Sequence, residues 1–154
     1  NRDGRVHVAQ TGKKAGVEKY IISSSCSVYG SAEEQNLTEN SKTNPVSVYA
    51  KSTLEAENQN LSLADNNFSV TALRNATVFG LSNRMRFDLV VNLMTLTAFQ
   101  KKRIIVMGGG LQWRPLVHLA DVSKAFIKII ETQTEKVNKE IFNINYPSFF
   151  NCIK

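Results

Sequence analysis

The sequence predicts an α/β fold in which helices cover both faces of a parallel sheet. Short apolar runs alternate along the chain with longer helical patterns, an order typical of parallel strands joined by helical crossovers. With 154 residues and 42% hydrophobic content, the chain is long and apolar enough to bury one core of this kind.

The first half of the chain contains two helical patterns and two apolar runs. The helices are predicted over 2–15 and 45–64, and the strands over 20–22 and 68–73. Gly16 is typical of a helix end, and Pro45 is typical of a first helical position. Residues 31–44 are polar and predict a loop.

The second half predicts two more helices and two more strands. The helices are predicted over 87–100 and 122–130, and the strands over 103–107 and 140–145. Asp121 fits the N-cap of the last helix, whose apolar residues recur at the spacing of one helix face. Gly108, Gly109 and Gly110 predict the end of the third strand.

Composition argues against several kinds of partner. The chain has 19 basic and 13 acidic residues, but Lys101, Lys102 and Arg103 end a predicted helix, where cations suit the dipole. No basic stretch is interleaved with stacking aromatic residues, so we expect no nucleic-acid partner. No apolar run reaches the roughly 18–20 residues that span a bilayer, so we expect no membrane contact. We also expect no bound metal. Two cysteines favour a reducing compartment such as the cytoplasm.

Two polar features stand next to the predicted elements. A serine-rich stretch that includes Ser23 and Ser25 follows the run 20–22, and ligands bind at such carboxyl ends of parallel strands. Tyr49 lies on the first turn of the next helix. Each feature has an ordinary alternative, because serines bond their own backbone in turns and a tyrosine can simply pack its ring. Together they form a more specific pattern than either alone.

With these features in order, the chain resembles the extended short-chain dehydrogenase/reductases, and within them the NAD-dependent epimerase/dehydratase family that acts on nucleotide sugars. The matching blocks are 1–4 with 14–20, 23–30, 49–57, 73–80 and 113–122. The resemblance implies a partial Rossmann-type doubly wound parallel sheet with part of a smaller substrate-binding region. It assigns 1–80 to the C-terminal half of the dinucleotide-binding domain, 81–145 to substrate-binding segments interleaved with late Rossmann elements, and 146–154 to a divergent tail.

The resemblance implies roles in catalysis and cofactor binding. Ser25 matches the hydroxyl that bonds the sugar. Tyr49 matches the catalytic tyrosine, which moves a proton while hydride passes to or from the nicotinamide. Asn1, Ser23 and Tyr49 are the cofactor-binding candidates. NAD is the expected cofactor, and NADP stays an alternative because the discriminating region lies outside the matched blocks.

The resemblance also implies substrate-binding roles. Arg114 matches an arginine used against the substrate diphosphate, a use that suits its planar fork of donors. Asp88 stands where relatives often carry an asparagine near the nucleotide. His118 and Asp121 are expected to hold the chain turn and the helix start. A homodimer through the Tyr49 helix and its neighbour is a further expectation.

The chain departs from the family at a residue that bears on catalysis. The family pattern is Tyr-x-x-x-Lys, but the fourth residue after Tyr49 is Thr53. Lys51 does not replace the lysine, because two steps along a helix rotate by about 200° and four steps return to within about 40°. A phenol has a pKa of about 10, and a nearby cation lowers such a value by about 1–3 units. Thr53 offers a hydroxyl but no charge.

A second departure is that the family's glycine-rich phosphate turn is not found in this sequence, and Gly108–Gly110 does not replace it because no helix follows. We therefore expect the chain to be part of a larger unit. Cys26 and Ser27 occupy the places of the Asp-Glu pair of 4,6-dehydratases, which favours an epimerase. The alternatives are a reductase or dehydratase of the same family, and a non-catalytic remnant that keeps the fold.

Overall fold

Helices and strands alternate along the chain, in a computed structural model that describes residues 2–30, 36–106, 110 and 114–145. The helices are α1 (Arg2–Lys14), α2 (Val48–Ser62), α3 (Val90–Lys101) and α4 (Leu119–Glu131). The strands are β1 (Lys19–Ser25), β2 (Ser69–Asn75), β3 (Thr77–Phe79), β4 (Leu116–His118) and β5 (Ile141–Ile144). None of the helices in these ranges is long and apolar enough to cross a membrane.

The main sheet has three parallel strands in the order β1-β2-β5. Its central strand, β2, is buried along its whole length, as expected for a strand covered on both faces. The register pairs Ser25 with Asn75 and Asn75 with Ile144. A second sheet pairs β3 with β4, also in parallel. The predicted α/β class with parallel strands is confirmed.

The two faces of the main sheet pack against different helices, because successive side chains of a strand point to opposite sides. On one face, Ile22 and Ala72 pack with Ala56 of α2. A neighbouring cluster on the same side joins Ala9 of α1 to Phe68. The core on the other face is built around α4 and contains Leu73, Val117, Val122, Ala125, Ile129 and Ile144.

Most predicted boundaries lie within a few residues of the observed ones, and two helix starts differ in their caps. The cap of α2 is Ser47, whose Oγ accepts a hydrogen bond from the Ala50 amide at 3.1 Å, so the helix begins after Pro45. The prediction that Asp121 caps α4 is wrong. The cap is His118, whose Nδ1 accepts from the Ala120 amide at 3.2 Å. This bond confirms the expectation that His118 holds the helix start.

The prediction of a strand over 103–107 is wrong for its described residues. Residues 103–106 belong to no strand and are exposed, because an apolar run forms a strand only where a neighbouring strand offers backbone partners. The strands β3 and β4, of three residues each, were not predicted. Residues Asn1, Gly108, Gly109 and the tail 146–154 lie outside the described residues.

Candidate functional site

A cleft of about 580 Å³ opens at the carboxyl ends of β1 and β2. Three of the predicted site residues, Ser23, Ser25 and Tyr49, line it together. The other lining residues come mainly from the stretch between the end of β2 and the first turn of α3, with Ser24 of β1 and Leu119 of α4 beside them. They include Asn75, Thr77, Gly80, Ser82, Arg84, Arg86 and Asn92. The cleft therefore combines hydroxyls, side-chain amides and two guanidinium groups.

Strand β1 presents its serines to two different environments. Ser23 and Ser25 share one face, and Ser24 points to the α2 side, where it is buried. Ser25 Oγ accepts a hydrogen bond from the Ser27 amide at 3.2 Å and caps a short 3₁₀ helix, Cys26–Tyr29. The local bond expected of a serine-rich turn is thus present, and Ser25 lines the cleft as well.

Helix α2 carries Tyr49 at the mouth of the cleft and Thr53 in the protein interior. Tyr49 is half exposed, whereas Thr53 is 2% exposed and is not among the residues that line the cleft. Lys51 is exposed, in agreement with its predicted orientation. The side chain one turn after Tyr49 is therefore a neutral, buried threonine.

A buried ion pair lies behind the serines. Arg74 of β2 donates to Glu57 of α2, with Nη2 2.6 Å from Oε1, and both side chains are at most 4% exposed. Ser24 Oγ donates to Glu57 Oε2 at 2.5 Å. Arg74 Nη1 donates to the Tyr29 hydroxyl at 2.8 Å, and that hydroxyl donates to Asn143 Oδ1 at 2.7 Å. The network ties β1, α2, β2 and β5 together beneath the cleft.

Burial and hydrogen bonding shift the pKa values of two residues in and beside this network, Arg74 and Cys26. Burial alone would lower the pKa of Arg74, but hydrogen bonds to Glu57 and Tyr29 raise it above its usual value. Burial raises the pKa of the Cys26 thiol to about 12, and Cys26 Sγ donates to the Arg74 carbonyl at 3.1 Å. Cys26 is thus a packed, protonated thiol near neutral pH.

Two further predicted site residues, Asp88 and Arg114, do not line the cleft. Asp88 is exposed and pairs with Arg86 through a 2.5 Å contact from Nη2 to Oδ2, and hydrogen bonding from that guanidinium lowers the pKa of Asp88. Arg114 is exposed and stands just before β4. Asn1 lies outside the described part of the chain.

Sequence reasoning did not single out Asn75, Asn92, Arg84 or Arg86, which also line the cleft. Asn92 had a visible signal, because it is a polar residue within the apolar pattern of α3. Asn75 had one as well, since it is a polar residue at the end of a buried strand, two positions before β3 begins. Arg84 and Arg86 lie in a segment without a regular hydrophobic period, so the sequence contained no signal for them.

Comparison with known proteins identifies relatives over most of the chain. A model described as the NAD dependent epimerase/dehydratase family matches residues 1–145. Mouse dTDP-D-glucose 4,6-dehydratase is 32% identical over 132 residues, which cover 85% of this chain and 36% of that enzyme. UDP-glucose 4-epimerase of Bacillus subtilis is 27% identical over 161 residues, which cover 94% of this chain and 48% of that enzyme. The chain therefore spans no more than about half the length of these relatives.

Solved structures share the fold. MoeE5 in complex with UDP-glucuronic acid and NAD matches with a TM-score of 0.83 at 28% identity, over 94% of this chain and 48% of that one. UDP-glucuronic acid 4-epimerase from Bacillus cereus matches with a TM-score of 0.81 at 23% identity, over 94% of this chain and 45% of that one. The fold is thus Rossmann-like, as the sequence predicted.

Proposed function

The chain belongs to the NAD-dependent epimerase/dehydratase family, and from this premise we propose that it carries the proton-transfer side of an NAD-dependent nucleotide-sugar epimerase. One observation carries the proposal: Ser25 and Tyr49 line one cleft at the carboxyl ends of parallel strands, the edge at which α/β sheets bind ligands.

The roles of the two hydroxyls follow from their chemistry. When the sugar carbon loses a hydride, its hydroxyl must lose a proton to become a ketone. The Tyr49 oxygen, in its phenolate form, takes that proton and becomes the phenol, and Ser25 Oγ holds the sugar oxygen through a hydrogen bond. When the hydride returns to the other face of the ketone, the same proton returns from Tyr49 to the oxygen. The sugar is thereby inverted at one carbon without net oxidation.

The cleft suits a nicotinamide dinucleotide and a nucleotide sugar. NAD supplies the hydride acceptor and donor when it is bound. The volume of about 580 Å³ lies within the range of about 300–1,000 Å³ typical of ligand pockets. The hydroxyls of Ser23 and Tyr49 can bond ribose or amide groups, and the guanidinium group of Arg84 offers positive charge to a diphosphate. Asn1 remains a candidate for cofactor binding, and Asp88 and Arg114 remain candidates for substrate binding.

An epimerase fits this chain better than a dehydratase. The elimination step needs an acid and a base directly after the catalytic hydroxyl, and here those positions hold Cys26 and Ser27. The pKa of Cys26 is raised to about 12 by burial, so this thiol does not exchange protons near neutral pH.

The burial of Thr53 favours a second candidate function, a non-catalytic binding protein of the same fold. Thr53 is neutral and 2% exposed, so it supplies no charge to Tyr49. A cation at this position would favour the phenolate form that accepts a proton, and Thr53 does not provide one, so turnover is expected to be slow even where ligands bind.

The test compares the unmodified chain with Tyr49→Phe and Thr53→Lys. Titration calorimetry with NAD and UDP-glucose measures binding, and conversion between UDP-glucose and UDP-galactose measures turnover. We expect Tyr49→Phe to bind NAD with nearly the same affinity and to lose about 100-fold or more in turnover. We expect Thr53→Lys to raise turnover at least about 10-fold, because it restores a cation.

Each failure has its own meaning. A chain that binds neither NAD nor UDP-glucose contradicts the proposed function. Binding without turnover in both the unmodified chain and Thr53→Lys favours the non-catalytic candidate. Turnover of the unmodified chain that equals that of Thr53→Lys contradicts the idea that the threonine weakens the site.

A homodimer and a cytoplasmic location complete the proposal. Val8 of α1 and Val48 of α2 are 58% and 85% exposed, and such apolar side chains favour a contact between two copies. The low cysteine content supports the location. Light scattering of the purified chain tests the dimer, and a monomer at micromolar concentration contradicts it.

A further inference from the structure

Asn75 lines the cleft with its side-chain amide oxygen unpaired. It is the last residue of β2, directly paired in register with Ser25, and it lines the same cleft as Ser25 and Tyr49. Its side chain is 8% exposed. Its Nδ2 donates to Ser23 Oγ at 2.9 Å, whereas its Oδ1 is buried and has no hydrogen-bond partner in the described part of the chain.

An amide oxygen left in this state is unusual, because buried polar groups almost always have a partner. Within the described ranges, two other buried side-chain oxygens lack one, Ser27 Oγ and Asn60 Oδ1, and neither residue lines the cleft. Asn75 thus combines an unpaired acceptor with a position beside the proposed reacting groups.

We propose that Asn75 is a ligand-binding residue whose Oδ1 accepts a hydrogen bond from an N–H or O–H donor of the ligand in the cleft. The inference rests on the proposed function, which brings two such donors beside Ser25. One is the carboxamide N–H of the nicotinamide, and the other is a hydroxyl of the sugar. An aliphatic group or an anion without a hydrogen-bond donor at this point of the ligand would leave the oxygen unpaired and is disfavoured.

The experiment measures the affinities of the full chain and of Asn75→Leu by titration calorimetry for two matched pairs of ligands. NAD is compared with acetylpyridine adenine dinucleotide, in which a methyl replaces the amide nitrogen. UDP-glucose is compared with UDP, which lacks the sugar. We expect Asn75→Leu to bind one of NAD or UDP-glucose about 3- to 10-fold more weakly and its matched analogue equally well. The affected pair identifies the donor.

Asn60→Leu is the matched control, because Asn60 is another buried amide with an unpaired Oδ1 but does not line the cleft. We expect it to leave all four affinities unchanged. Asn75→Asp keeps an acceptor at the same place and is expected to retain the discrimination within the affected pair. Thermal unfolding of each variant establishes that it is folded.

Several results would overturn the assignment. The first is equal affinity of Asn75→Leu and the unmodified chain for NAD and for UDP-glucose. The second is an equal loss for a ligand and its analogue, or the same loss in Asn60→Leu. If Asn75→Leu does not fold, the unmodified chain decides: no preference for either complete ligand over its analogue overturns the assignment. If the unmodified chain binds none of the four, the proposed function fails and this inference falls with it. If the unmodified chain binds the ligands but does not distinguish either of them from its analogue, the role of Asn75 is contradicted while the proposed function stands.

Discussion

Glu57 and Arg74 illustrate how single residues behind the cleft determine whether the site keeps its shape. The two charged groups are almost fully buried, and the Arg74 guanidinium donates to the Glu57 carboxylate from both Nε and Nη2. The same carboxylate accepts from Ser24, which lies between the two cleft serines on β1. The position of Ser23 and Ser25 therefore depends on an ion pair that touches neither.

Replacement of Glu57 by glutamine should destabilise the protein by about 3–5 kcal/mol, because it leaves the Arg74 charge buried without a counter-charge. Chemical denaturation of the purified variant measures the change in the free energy of unfolding. Glu55→Gln is the control, since Glu55 pairs with Arg2 at 3.0 Å on the exposed surface and should have no measurable effect. Equal effects of the two substitutions would contradict the role given to burial.

Within single elements, Gly30 decides how β1 and its short 3₁₀ helix lead into the next loop. Its backbone has φ 63° and ψ −138°, a region that essentially only glycine occupies. A Cβ at this position would lie 1.8 Å from the Asn44 carbonyl oxygen. Asn44 in turn donates from its amide to the Val28 carbonyl at 3.0 Å. The close approach thus holds the loop that precedes α2, and with it Tyr49.

Gly30→Ala should destabilise the protein by more than about 2 kcal/mol, because the new methyl group meets backbone that cannot move aside cheaply. Gly4→Ala is the matched control. Gly4 lies in the exposed first part of α1 with open space around it, so alanine should stabilise the helix by about 0.5–1 kcal/mol. Thermal melts of both variants test the pair, and a neutral Gly30→Ala would refute the contact with Asn44.

For the molecule as a whole, the reactivity of the Cys26 thiol measures how well the core around the sheet stays packed. The thiol packs against the α4 core and bonds the Arg74 carbonyl of the central strand. Its reaction with alkylating reagents needs the thiolate and access to solvent, and the folded chain limits both, because the raised pKa keeps the thiol protonated and the residue is only partly exposed.

In a Cys152→Ser background, Cys26 is the single thiol of the chain. We expect its alkylation by iodoacetamide near neutral pH to be about 100-fold or more slower in the folded protein than in denaturant. Mass spectrometry over time measures the rate. A rate in the folded protein close to that in denaturant would show that the sheet opens readily.

The raised pKa of the same thiol predicts that the free energy of unfolding decreases at alkaline pH. The pKa in the folded state is about 12, above the ordinary value of 9.0. The stabilisation from the buried thiol is therefore complete below about pH 9 and is lost as the pH rises toward 12. Urea unfolding across this range should show a steeper alkaline loss for the Cys152→Ser chain than for the same chain with Cys26→Ala. Identical slopes would contradict the burial of the thiol.

The sequence by itself determined the elements that depend on local pattern. The spacing of apolar residues indicated α1, α2, α4 and the three strands of the main sheet, because helical and strand periods are properties of neighbouring residues. The order of those elements indicated a parallel sheet, and the motif order brought Ser25 and Tyr49 to one cleft. The strand predicted at residues 103–106 was wrong because an apolar run is also a local pattern. Such a run carries no information about whether a partner strand exists.

Tertiary structure alone decided which distant residues meet. The pairing of β3 with β4, the bond from Asn75 to Ser23 across 52 residues and the charge pair of Glu57 with Arg74 all join segments far apart in the chain. Such contacts depend on how helices and strands pack, which no period within one segment encodes. The burial of Thr53 beneath Tyr49 belongs here too, because only the packing of α2 on the sheet distinguishes a threonine inside the protein from one that faces a ligand.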